Sequence, residues 1–103
     1  MDERMKPADC RDMAEVRAGV DSLDAEIVAL LAERFRYMDA AARIKPEREA
    51  VRDEWRKAHV LAKVTARAAA QGVPAETAAA LYERLIEDSI AYELERFDQT
   101  RRR

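Results

Sequence analysis

The sequence predicts an all-α protein of three helices, the first of them very long, and three observations carry that prediction. Its 103 residues hold only 2 Gly and 3 Pro, too few for the turns that a sheet requires. Charged residues make up 39% of the chain and hydrophobic ones 49%, a mixture suited to amphipathic helices. Tracts with apolar residues in alternating steps of three and four run between sparse punctuation marks, with no repeat and no low-complexity segment.

The first helix is expected from about Met13 to Lys45. Pro7 argues against helix in the opening residues, Asp12 suits the N-cap with Glu15 in capping-box spacing, and Pro46 disfavours helical geometry at the residue before it. At roughly 33 residues such a helix is about 50 Å long, longer than a compact globule of this mass is wide. The stretch PEREAVRD is a short charged link that merges into a second helix, which stops at Gly72, a natural C-terminal cap. Val73 and Pro74 open a third helix that continues to about Gln99, with Pro74 suited to its first turn. A single domain over residues 1–103 is expected, with flexible tails at 1–11 and 100–103 and the closing Arg101 to Arg103 in solvent.

Composition excludes several function classes. Nineteen basic against twenty-one acidic residues give a formal charge of −2, so no global field draws the chain to nucleic acid or to an anionic membrane. Cys10 has no second cysteine with which to form an internal disulfide, and the polar start MDERMKPADC lacks the apolar core of a secretion signal; a cytoplasmic protein is expected. No run approaches 18 apolar residues. A chain of this size buries only ~60–70% of its unfolded surface when it folds alone, so a partner subunit would help it.

The apolar stripe of the first helix reads Val16, Val20, Leu23, Ile27, Leu30, and then continues through Arg34, Met38, Ala41 and Lys45. Two cations sit on a seam that should be apolar. Burying an unpaired charge is prohibitive, so these positions face either acidic side chains or an anionic ligand in an enclosed pocket. Eleven residues separate them, a rotation of about 20° and a rise of roughly 16 Å, so they would close on one small anion from either end. The third helix repeats the anomaly: Tyr82, Leu85, Ile86, Ile90, Leu94 and Phe97 form its apolar face, with Ser89 and Glu93 along its border. An ordinary ion pair between Arg34 and Glu93 would explain part of this. Several polar intrusions from separate segments point instead to a ligand site between helices.

The stretch VRAGVDSLDAEIVALLAER, the lysine of ARIK, then VRDEWRK and LIEDSIAYELERF resemble the all-helical class of chorismate mutases from about Cys10 to Thr100. The cysteine ahead of the first helix and the spacing from Lys45 to Arg56 are also similar to the isochorismate pyruvate-lyases of salicylate and siderophore pathways. The resemblance implies that Arg17 and Arg34 hold the two substrate carboxylates, assisted by Arg56. It implies that Lys45 and Glu93 flank the ether oxygen, that Ser89 touches the ring carboxylate, and that the backbone around Asp53 meets the ring hydroxyl. Arg17 lies seventeen residues from Arg34, about 25 Å along one helix and about 100° around it, whereas the substrate is roughly 10 Å across. If Arg17 serves the site, it must come from a second subunit, in keeping with the interlocked homodimer that the resemblance implies, an isologous pair with two equivalent pockets.

Converting chorismate to prephenate is an intramolecular rearrangement that needs no nucleophile, metal or cofactor, and none is expected. Clamping both carboxylates holds the compact reactive conformer. A fixed ammonium and a hydrogen-bond donor stabilise charge that builds on the ether oxygen, and removing one such donor typically costs about 2.7–4 kcal/mol of barrier lowering. Guanidinium forks suit carboxylates, while an ammonium suits a single oxygen. An ionised Glu93 would repel that oxygen, so the working form must carry a proton there and activity is expected to decline as pH rises.

Two positions depart from the family pattern. Lys57 stands where many mutases carry a glutamate just after the third arginine, so it points to solvent or Glu54 substitutes for it; Glu93 stands where bacterial relatives often have glutamine. The expected activity is that of a chorismate mutase serving aromatic amino acid biosynthesis. Pyruvate elimination from isochorismate and a noncatalytic helical dimerisation module are the alternatives. His59 reads as a surface or partly buried side chain, Trp55 as a packing anchor for the second helix, and Gly19 as a point of close helix approach near a dimer interface.

Overall fold

The computed structural model describes residues 4–102. Three helices carry the fold: α1 over Met13–Ile44, α2 over Glu54–Ala70 and α3 over Ala75–Thr100, with short 3-10 turns at Pro7–Asp9 and Arg48–Ala50. Among the described residues there is no strand. The chain divides into two compact units, the first ending at Arg36 and the second starting at Tyr37.

In the first unit, Asp12 caps α1 as its sequence predicts: the Glu15 N–H donates to Asp12 Oδ1 at 2.9 Å. Glu15 reaches back one residue further than a standard capping box, accepting from the Arg11 N–H at 2.7 Å and pairing with the Arg11 guanidinium at 2.8 Å. Those contacts hold the Glu15 carboxyl below its usual range. The segment expected to be a tail is tied to α1, because Arg4 meets Glu26 at 3.0 Å and Ser22 at 3.4 Å. A Cβ built on Gly19 would lie 4.0 Å from the Arg4 side chain, an ordinary contact. The apolar stripe of α1 has no such cover: Val16, Val20, Leu23, Ile27 and Leu30 are 38–59% exposed.

In the second unit, the core gathers Ala42 from the end of α1, Val51 from the link, and Ile86, Ile90 and Phe97 from α3. Val60 and Leu61 of α2, with Tyr82 and Leu94 of α3, pack against them. Asp53 caps α2 by accepting from the Arg56 N–H at 3.0 Å. The end of α2 is a Schellman turn: the Gly72 N–H donates to Ala69 O at 3.3 Å and the Val73 N–H to Ala68 O at 2.8 Å. Gly72 takes a φ of +79°, which an L side chain rarely adopts, and this explains the glycine. Pro74 then stands as the N-cap of α3, one position before the first turn where it was expected.

Trp55 does not anchor α2. It is 74% exposed and stacks on His59 with ring centroids 5.2 Å apart. Two residues of helix turn Trp55 about 200° from Lys57, away from the face that carries Val60, Leu61, Val64 and Ala68 toward the interior.

Candidate functional site

The last turn of α1 and the middle of α3 bring two of the expected site residues into contact. The Lys45 N–H makes the final helical bond, to Ala41 O at 2.9 Å, and Pro46 follows at once. Half-buried at this junction, Lys45 sends its Nζ to within 2.8 Å of Glu93 Oε2. Glu93 lies on the inner face of α3 and is only 4% exposed. The two form an ion pair, and Oε2, itself buried, makes no further hydrogen bond. A buried carboxylate is costly unless a cation balances it, and Lys45 does so here.

Ser89, one helical turn before Glu93, is 3% exposed and donates its hydroxyl proton to Leu85 O at 2.6 Å. The two polar residues predicted on the border of the α3 apolar face are therefore fully interior. Asp53 and Arg56 adjoin one another through the α2 cap, and the Asp53 side chain is occupied by it, leaving the backbone for the role the resemblance implies. The Arg56 side chain is exposed. In the first unit, Arg34 is half-buried on α1 and Arg17 is exposed on the same helix, seventeen residues earlier.

Lys57 does not point freely to solvent. Its Nζ lies 2.6 Å from Glu83 and 2.8 Å from Glu87, a turn apart on α3, and only 17% of its side chain is exposed. Both glutamates raise its pKa. Glu87 also takes the Arg52 guanidinium at 2.7 Å, and with Arg52 and Lys57 on it, its carboxyl falls to about 2. Glu54 pairs with Arg52 at 2.9 Å. Lys57 is thus a rivet between α2 and α3, a role invisible in the sequence because its partners lie some thirty residues away.

Three further anchors near Lys45 escaped the sequence. Asp39 accepts from the Tyr92 hydroxyl at 2.7 Å and from Arg96 Nε at 2.9 Å, tying α1 to α3 one residue from Glu93. The Tyr92 hydrogen bond, with Arg96 behind it, lowers the Asp39 pKa, and the same bond raises that of Tyr92. Arg48 of the link pairs with Asp98 at 2.9 Å. Arg101, read as part of a solvated tail, stays exposed yet donates to Ala42 O at 2.7 Å and to Lys45 O at 2.6 Å. Arg103 of that tail lies outside the described residues.

Among the described residues, no group of three His, Cys, Asp or Glu side chains is placed to hold a metal ion. No helix there is long and apolar enough to cross a membrane. The Lys45 ammonium, the buried carboxyl group of Glu93 and the Ser89 hydroxyl are groups suited to electrostatic work on an anion.

Residues 16–94 match the model of the family described as chorismate mutase type II. The chain is also 32% identical over 95 residues to an isochorismate pyruvate lyase of Pseudomonas aeruginosa, an alignment that covers 92% of this chain and 94% of that protein.

Proposed function

Because the chain belongs to the chorismate mutase type II family, we propose that it is an enzyme that rearranges chorismate to prephenate without a cofactor. The observation that carries the reading is the ion pair between Lys45 and the buried carboxyl group of Glu93. In the working site the ether oxygen of the substrate takes the place of that carboxylate oxygen as the partner of Lys45. Glu93, protonated, donates to the same oxygen from the other side. Charge that accumulates as the C–O bond lengthens is thus met by a cation and a donor that are already in position, so little reorganisation is needed.

The remaining roles follow the family assignment. Arg34, and Arg17 from a second copy of the chain, bind the two carboxylates and hold the reactive conformer. Arg56 assists them, Ser89 meets the ring carboxylate, and the backbone at Asp53 meets the ring hydroxyl. Lys57, engaged with Glu83 and Glu87, takes no part in binding. The assembly is an isologous homodimer in which each chain acts as one domain, and the exposed stripe from Val16 to Leu30 supports it: five large apolar side chains in register are a surface that association would cover.

A second reading is pyruvate elimination from isochorismate, giving salicylate, and the 32% identity to an isochorismate pyruvate lyase favours it. Both reactions break an enolpyruvyl ether, and the same ammonium and carboxyl group serve either. Purified protein incubated separately with chorismate and with isochorismate decides between them. Prephenate from the first substrate supports the mutase, and salicylate with pyruvate from the second supports the lyase. No product from either leaves a dimerisation module.

A further inference from the structure

We propose that Arg101 is a positioning residue for Lys45, fixing the end of α1 so that the ammonium is aimed at the reacting oxygen; the proposal rests on the catalytic reading above. Helices leave their last carbonyl groups without partners, and the last turn frays unless something caps it. At the end of α1 this is acute, because Pro46 offers no N–H to continue the ladder. Arg101 supplies the missing donors from another helix: Nη1 bonds Ala42 O at 2.7 Å and Nη2 bonds Lys45 O at 2.6 Å. Nη1 also meets Thr100 Oγ1 at 2.7 Å.

The clamp is rigid at its own end. The Arg101 N–H bonds back to Asp98 O and Gln99 O as the C-cap of α3, so the side chain leaves from a fixed point. Its guanidinium lies 3.7 Å from the centroid of the Phe97 ring, which sets the plane of the fork, and Phe97 is buried in the core. A cation is also the favoured charge at a helix C-terminus. The Lys45 backbone is therefore held on both sides, by its N–H to Ala41 O and by its carbonyl to Arg101. A lysine stem is long and flexible, and a fixed origin is what converts it into an aimed group. Arg101 touches no substrate in this scheme; it acts through the main chain of Lys45.

The test compares wild type with Arg101→Ala and Arg101→Lys in turnover of the substrate that the protein accepts, with Arg84→Ala as a control for the loss of a surface cation on α3. Misplacing a catalytic group by about 1 Å can cost about a hundredfold. Both Arg101 variants are expected to lose about tenfold or more in kcat while KM changes little, since Lys at this position cannot span two carbonyls. Amide exchange at Lys45 is expected to accelerate in both variants and to stay unchanged in Arg84→Ala. Wild-type kcat in Arg101→Ala would overturn the proposal, as would a loss confined to KM or unaltered exchange at Lys45. A wild type inert toward both substrates would remove the reaction Arg101 serves, striking the catalytic reading and this proposal together, whereas an active wild type with indifferent Arg101 variants strikes only the latter.

Discussion

Lys45, just past the end of α1, and Glu93 of α3 stand 2.8 Å apart, the carboxylate oxygen buried and making no further hydrogen bond. Lys45→Ala is expected to reduce turnover by about a hundredfold or more, the scale of losing one preorganised donor at a developing oxyanion. The same change strands a buried carboxylate and should also cost about 1–3 kcal/mol of stability. Steady-state kinetics and thermal unfolding followed by circular dichroism separate the two effects, since the kinetics are run far below the transition.

A group that donates to the ether oxygen can be replaced by another donor but not by a side chain without one. Glu93→Gln is expected to keep more turnover than Glu93→Ala, which should lose about a hundredfold or more in steady-state kinetics. Equal turnover in the two variants would show that position 93 donates nothing to the reaction.

Acid stability has a different origin. Glu87, held near 2 by Arg52 and Lys57, binds a proton less readily in the folded chain than in the unfolded one, where an ordinary glutamate titrates near 4.5. Its contribution is complete above that ordinary value and is lost as pH falls through the range down to about 2. Melting temperature should therefore drop with acidification across this window, and Glu87→Gln should drop less steeply while starting lower at neutral pH.

The uncovered stripe of α1 makes a prediction about mass. Wild type should sediment at twice its 11.8 kDa. Ile27→Asp places a charge among side chains that association would bury, and should give a monomer without activity. A wild type that remains monomeric at high concentration would contradict the shared site.

Gly72→Ala isolates a backbone effect. Nothing lies within 4 Å of where its Cβ would stand, so the whole cost comes from the left-handed φ. A loss of about 1–2 kcal/mol is expected from chemical denaturation.

Local signals were legible in the sequence, and long-range ones were not. Asp12, Pro46 and Gly72 act on their immediate neighbours, and they placed the ends of α1 and α2 to within two residues. Ser89 and Glu93 were readable as polar intrusions because a helix repeats its face every turn. Trp55 misled because an aromatic side chain on a short helix reads as core, whereas its angular position turns it outward. Lys57 and Arg101 were read from their neighbours in sequence, a charged helix and a run of arginines. Their actual partners, Glu83, Glu87 and two main-chain carbonyls, are set by packing that no local pattern encodes.

The Schellman turn at Gly72 also bears on how the molecule assembles. By joining α2 to α3 through four residues, it leaves those helices almost no chain entropy to lose in finding each other. Contacts so near in sequence form early, on the microsecond to millisecond scale of helical proteins. The hairpin is expected to appear in a first refolding phase whose rate ignores protein concentration, and only the later, bimolecular phase should quicken as the chain is made more abundant.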